Sequence, residues 1–174
     1  INYIGILSDL TEHKLKERRL SYLENYDPLT DLPNRFYYNY QLHLYLISQQ
    51  DSLQQLAVIR LNIDRFRPLN EYLSNNGGDE LLRQVAQRLR ITNAEALIVA
   101  HLNGDDFAIV YEISHIRPSI EEHCERITKA FNLPFNVQGQ EHIITLSMGV
   151  SLYPEHGRQL DYLNNCAEQA LSEA

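Results

Sequence analysis

Asn62, Asp64, Asp105 and Asp106 are the side chains whose types and spacing could do chemistry. Asn62 and Asp64 close the apolar run LAVIRLNID (56–64). Side chains alternate along a strand, so these two would share one face while Ile63 turns the other way. Asp105 and Asp106 directly follow Asn103-Gly104, a pair set between two apolar runs. That pair is a strong hairpin signal, because both residues tolerate the positive φ of a tight turn. If strand and hairpin lie side by side, oxygen ligands from both meet at one edge. Such a cluster suits magnesium (Mg2+), with phosphate oxygens completing its shell. Adjacent acids after a turn are equally what a solvated turn looks like, and composition leaves both readings open.

The elements that must position these residues follow from the pattern. LPNRFYYNYQLHLYLIS (32–48) opens with Pro33 and carries Phe36, Tyr40, Leu44 and Ile47 at helical spacing. The strand over 56–64 comes next. DELLRQVAQRLR (79–90) repeats Leu81, Leu82, Val85, Ala86 and Leu89, a helix with one buried face. After the hairpin, Pro118 is expected to start a helix with Ile120, Cys124, Ile127 and Phe131 on one side. HIITLSMGVSLY (142–153) reads as a strand with a short partner at PFNVQ (134–138), and a last helix carries Leu160, Leu163, Ala167 and Ala170. Without the additions, the order is β-α-β-β-α-β. The expected fold class is therefore α+β, a ferredoxin-like core with extra helices and strands, its helices flanking a mainly antiparallel sheet.

Residues 1–26 differ from the rest. INYIGILSD reads as a short apolar strand and LTEHKLKERRLSYLENY as a charged helix, with Leu15, Leu20 and Leu23 on its thin apolar side and Ser8 or Asp9 as N-cap. The first residue is Ile1 and no signal-peptide pattern precedes the fold, so the chain reads as a piece of a longer one.

The 174 residues suit one domain, and 44% apolar with 22% charged residues is an ordinary globular composition. No run approaches the roughly 18 apolar residues of a membrane span. A net charge of -8 argues against a duplex nucleic-acid partner, while leaving room for a nucleotide held through a divalent cation. Cys124 and Cys166 fall on apolar sides of helical patterns, which fits reduced cysteines in a cytoplasmic protein.

Four motifs, DPLTDLPNR (27–35), NIDRFRPLNEYLSNNGGDELL (62–82), NGDDF (103–107) and TLSMGVSLYPEHG (145–157), stand in the order and spacing of the GGDEF domain, the diguanylate cyclase family. The resemblance covers 27–174, a nucleotidyl-cyclase, palm-like fold with its C-terminal end cut short. Residues 1–26 look like the end of a PAS sensor strand running into a signalling helix. The letters GGDE at 77–80 are not the signature, which is the hairpin Asn103-Gly104-Asp105-Asp106-Phe107.

The resemblance implies two GTP-loaded domains facing each other as a homodimer. The 3′-hydroxyl of one nucleotide attacks the α-phosphate of the other, giving cyclic di-GMP and pyrophosphate. It places guanine recognition on Asn70 and Asp79, the phosphate wrap on Phe66 and the backbone of 63–66, and close phosphate approach on Asn103 and Gly104. Metal positions fall on Asn62, the Ile63 backbone and Asp105; catalytic positions fall on Asp105 and Asp106. Asn62 is a neutral amide where the family has an aspartate. Asn103 replaces a glycine, Asp106 is a methylene shorter than the usual glutamate, and His101 stands where an arginine is usual. Ala94 and Leu97 occupy the Arg-x-x-Asp places of the family's product-feedback site, so that site is expected to be absent. The implied reading is a degenerate cyclase, weak or inactive, that binds GTP or relays signals beside a PAS domain and an EAL-type phosphodiesterase domain. A working cyclase using Asp64, Asp105 and Asp106 is one alternative; a pure protein-interaction module is another. The expected location is cytoplasmic, with any membrane anchor elsewhere in the parent chain.

Overall fold

The computed structural model describes residues 3–48, 55–113 and 119–174. The elements in chain order are α1 (Tyr3–Asn25), α2 (Arg35–Ser48), β1 (Gln55–Ile63), α3 (Phe66–Thr92), β2 (Ile98–Asn103), β3 (Asp106–Ile113), α4 (Ile120–Phe131), β4 (Phe135–Val137), β5 (Gln140–His142), β6 (Leu146–Tyr153) and α5 (Leu160–Ser172). A four-stranded sheet has the order β2-β3-β1-β6, with every pairing antiparallel. That is the ferredoxin-like order, with β4 and β5 forming a separate hairpin.

Both faces of the sheet are covered, which explains the apolar run Leu56–Ile59 and its continuation at Leu61 and Ile63 in β1. Ile59, Leu61 and Ile63 join Phe107, Ile109 and Tyr111 under α3 and α4, while Leu56 and Val58 join Ala108 and Val110 under α2 and α5. A strand buried on both sides reads as continuous rather than alternating. Each fully buried Leu or Ile contributes on the order of 1.5–3 kcal/mol, so β1 anchors both cores. At Gly149 of β6 the sheet meets α5 backbone to backbone. A Cβ there would stand 2.1 Å from the Ala167 carbonyl oxygen, so only glycine lets the end of α5 lie this close.

Several expectations are corrected. The strand expected within residues 1–9 is helical from Tyr3, and Ser8 and Asp9 lie inside α1 rather than capping it. Among the described residues no strand of the sheet pairs with this segment, and helix satisfies the backbone groups that a lone strand would leave open. On α2 the buried side is Tyr38, Leu42 and Leu46, whereas Phe36, Tyr40, Leu44 and Ile47 are exposed. The helix is apolar on both sides, and Tyr38 can be buried because its hydroxyl donates to Asn164 Oδ1 at 2.6 Å. PFNVQ supplies β4, which pairs with β5 and not with β6, and β6 starts at Leu146 rather than 142. Gln138 and Gly139 turn that hairpin with positive φ at both positions, the requirement of a tight two-residue turn.

Pro118 lies outside the described residues. Helix α4 begins after Ser119, whose hydroxyl accepts from the Glu122 N–H while the Glu122 carboxylate accepts from the Ser119 N–H, a capping box. Cys124 and Cys166 are free and half-buried. Among the described residues no helix is long and apolar enough to cross a membrane.

Candidate active site

The site gathers where β1 ends beside the β2–β3 hairpin on one side and the start of β6 on the other. In the β1–β3 ladder Asn62 stands opposite Asp106, and in the β1–β6 ladder it stands opposite Ser147. The Ile63 N–H donates to the Asp105 carbonyl at 3.3 Å, which ties the end of β1 to the signature turn. The sequence-predicted neighbourhood of Asn62, Asp105 and Asp106 is therefore present.

The acids do not converge as one ligand cluster. Asp64 turns toward β6: its Oδ1 accepts from Ser147 Oγ at 2.7 Å, its Oδ2 from the Thr145 hydroxyl, and its N–H donates to the Thr145 carbonyl at 3.0 Å. Asp106 turns back along β1 to Arg60, a residue that the sequence reading passed over. Arg60 Nε donates to Oδ1 at 3.3 Å and Nη2 to Oδ2 at 2.5 Å, with the two side chains only 4% and 14% exposed. Arg35 Nη2 lies 3.6 Å from the same carboxylate. Burial pushes the Asp106 carboxyl above its ordinary range, against the opposing pull of Arg60. Asp105 sits half-buried in the turn itself. Among the described residues no group of three or more His, Cys, Asp or Glu side chains is arranged to hold a metal ion.

A cleft of about 1140 Å³ opens between the end of β1, the start of α3 and the end of α5, lined in part by Asn62, Asp64, Arg65, Leu69, Ser147 and Glu168. Helix α3 begins beside it without a side-chain cap, after Arg65 in the left-handed conformation. Open N–H groups at a helix start favour an anion. Phe66 packs against the core cluster below the start of α3, so it supports the turn between β1 and α3.

Asn70 is brought against Gly78, the residue before Asp79, by a break. In a continuous helix, residues 70 and 78 would stand about 12 Å apart along the axis. Ser74, at φ 63° and ψ 166°, interrupts α3 and folds its first part back. A Cβ on Gly78 would fall 1.7 Å from Asn70 Oδ1, so the amide rests directly on the bare backbone next to Asp79. Asp79 lies within the resumed helix, not at its cap. An amide and a carboxylate on neighbouring backbone offer the acceptors and donors that a guanine edge could complement.

The hairpin itself is shifted relative to expectation. The turn is Gly104-Asp105, the positive φ of 50° falls on Gly104, and Asn103 is the exposed last residue of β2, paired with Asp106. A register irregularity between His101 and Asn103 moves the turn by one residue. His101 is buried, stacks on Phe107 at 4.7 Å and bonds both Asp27 and the Gly104 carbonyl. The local signal for this link was Asp27 and Thr30 in DPLT: Thr30 Oγ1 and N–H both donate to Asp27 Oδ2, at 2.7 and 2.8 Å.

Residues 24–174 match the family model described as diguanylate cyclase, GGDEF domain. The chain is 33% identical over 167 residues to an uncharacterized signaling protein of Caulobacter vibrioides, covering 95% of this chain and 21% of that protein. It is 31% identical over 157 residues to the cyclic di-GMP phosphodiesterase NbdA of Pseudomonas aeruginosa, covering 89% of this chain and 20% of that protein. The chain thus spans about a fifth of the length of these relatives. Among solved structures, the isolated GGDEF domain of TpbB from Pseudomonas aeruginosa superposes with a TM-score of 0.77 at 30% identity, over 86% of this chain and 87% of that one. The chain belongs to the GGDEF domain family of cyclic di-GMP signalling proteins.

Proposed function

We propose that this domain retains the base-recognition half of a diguanylate cyclase and has lost the phosphoryl-transfer half, so that it binds GTP and relays its occupancy to a neighbouring domain. The observation that carries this reading is Asn62, a neutral amide at the strand end where the resemblance puts a metal-binding aspartate, directly opposite Asp106. Diguanylate cyclases of this family use divalent metal ions, which neutralise phosphate charge when bound.

The donor set here does not fit such ions. Asn62 brings no charge, Asp64 is occupied by two hydroxyls, and Asp106 is held by arginine. Asp105 remains as the acid of this set not held by a neighbouring side chain among the described residues. Losing about 3 kcal/mol of transition-state stabilisation slows a reaction roughly 100-fold. The base-recognition pair, Asn70 beside Gly78 and Asp79, supports the retained half.

The sequence pattern of residues 1–26 supports an upstream PAS-type sensor feeding α1. The relative named as a cyclic di-GMP phosphodiesterase supports an EAL-type neighbour in the parent chain. GTP as ligand supports cytoplasmic action, and the family's two-domain reaction supports a homodimeric parent. Two measurements on the purified domain test the proposal. Calorimetry with GTP should show binding that Asp79→Ala abolishes, and cyclic di-GMP formation should stay near background. Turnover comparable to a working cyclase, or no heat at millimolar GTP, would reject it.

A second reading, a protein-interaction module, is favoured by one observation. Phe36, Tyr40, Leu44 and Ile47 form a stripe on α2 that is 43–65% exposed. Under that reading Asp79→Ala changes neither signalling nor nucleotide affinity.

A further inference from the structure

The geometry points to Arg60 as a built-in cation beside the former metal position at Asn62, making the second signature acid, Asp106, a structural counter-ion in this domain. The inference rests on the proposed reading of Asn62 as a former metal position and deepens it: a charge restored at position 62 alone would not restore metal binding.

Strand geometry produces the arrangement. Arg60 and Asn62 are two residues apart on β1 and share a face, and Asn62 faces Asp106 across the ladder. Asp106 is thus the diagonal neighbour of Arg60 and well within reach of its long side chain. The guanidinium uses its fork, with one donor to each carboxylate oxygen. That bidentate form is the strongest arginine–carboxylate geometry. Arginine does not deprotonate in proteins, so this cation is permanent.

The surrounding charges close on themselves. Arg35 approaches Asp106 Oδ2 at 3.6 Å from α2, and Glu168 Oε2 approaches Arg60 Nη1 at 3.8 Å from α5. Two guanidinium groups face two carboxylates, so this cluster carries no excess negative charge to offer a divalent cation. A cation drawing Asp106 away would also strand Arg60, whose side chain is 4% exposed, and an uncompensated buried charge is costly. The same guanidinium would repel a dication from the Asn62 side, with little solvent to screen the repulsion.

Manganese(II), titrated under electron paramagnetic resonance, provides the test in wild type, Asn62→Asp, Asn62→Asp with Arg60→Met, and Asn62→Asp with Arg60→Lys. The expected result is that Asn62→Asp binds within about threefold of wild type, while adding Arg60→Met tightens binding by about tenfold or more. The lysine double variant should stay with Asn62→Asp, because it keeps the charge. A merely structural bridge would lower stability in both Arg60 variants without raising metal affinity. If Asn62→Asp alone gains about tenfold, Arg60 is no obstacle and the inference falls, while the reading of Asn62 stands. Tight binding by wild type would overturn both. Should the methionine variant fail to fold, the native chain decides by nitrogen-15 resonance of the Arg60 Nε–H, identified by its loss in Arg60→Lys. Millimolar Mg2+ should leave that signal unmoved, and a shift or loss of its protection would overturn the inference.

Discussion

His101 ties the signature turn to the segment leading into the domain: its Nδ1 lies 3.0 Å from Asp27 Oδ2 and its Nε2 lies 2.8 Å from the Gly104 carbonyl oxygen. The ring is 5% exposed and stacked on Phe107, so the link is held from both sides and from below. The His101 backbone N–H also donates to the Pro33 carbonyl at 2.9 Å. The end of α1 and the turn that carries Asp105 are therefore one mechanical unit, joined through Asp27.

That unit makes stability depend on pH in a defined direction. Burial opposes ionisation of Asp27, but hydrogen bonds from Thr30 and His101 outweigh it and hold the carboxyl below its ordinary range. The folded value thus lies under the unfolded one, about 3.9. The stabilisation is complete above that value and is lost as pH falls through the folded one. Near neutral pH, Asp27→Asn should cost about 1–3 kcal/mol in urea unfolding, the scale of a buried acceptor removed from its donors. The difference from wild type should shrink steadily below about pH 4. A cost that stays constant into acid would show that Asp27 is not held in its charged form.

Gly78→Ala separates recognition from stability. Alanine is the better helix former by about 1 kcal/mol. Its Cβ would nonetheless occupy the position of Asn70 Oδ1, which stands 1.7 Å from the ideal Cβ site. The amide must leave. GTP affinity measured by calorimetry should fall by about tenfold, the loss of roughly one good hydrogen bond. The melting temperature should hold or rise. Unchanged affinity would remove Asn70 from the proposed recognition pair.

Ser74 holds a backbone conformation that is essentially reserved for glycine, at φ 63° and ψ 166°. Such strain costs on the order of 1–3 kcal/mol and persists here because the break is what lets Asn70 reach Gly78. Ser74→Gly should therefore raise stability in chemical denaturation by about 1 kcal/mol, the smaller figure reflecting the freer unfolded chain. Ser74→Ala, which keeps the Cβ, should give no such gain. Equal effects of the two would place the strain elsewhere.

These cases show which features the sequence could reveal. The largely apolar run of β1 and the spacing of Leu81, Leu82, Val85, Ala86 and Leu89 are local patterns, and local patterns survive into the fold. The neighbourhood of Asn62 and Asp106 followed from sheet topology, which the element order already constrained. The run Asn75-Asn76-Gly77-Gly78 marks a weak point in the helix, but that the break falls on Ser74 had no such signal, because its strain is offset by contacts that form only after folding. Arg60 looked like an interruption in an apolar run. Its partner lies 46 residues away, and nothing short of the β1–β3 register brings the two together. The turn was off by one residue because an irregularity between His101 and Asn103 shifts the ladder.

Helix α2 shows the limit of periodicity most directly. Its residues offer two apolar stripes at helical spacing, one through Phe36, Tyr40 and Leu44 and one through Tyr38, Leu42 and Leu46, and counting favours neither. The sheet selects the second stripe, since Tyr38, Leu42 and Leu46 pack among Val58, Ala108 and Val110. Leu42 is fully buried and Leu44 is 43% exposed. Leu42→Ala should therefore cost about 2–5 kcal/mol, combining lost burial with the cavity left behind. Leu44→Ala should stay within about 0.5 kcal/mol of wild type, as surface substitutions do. Paired thermal and urea unfolding of the two variants checks both numbers. A large cost at Leu44 with little at Leu42 would mean that α2 is rotated about its axis, and Tyr38 and Asn164 would then lose the bond that fixes the helix against α5.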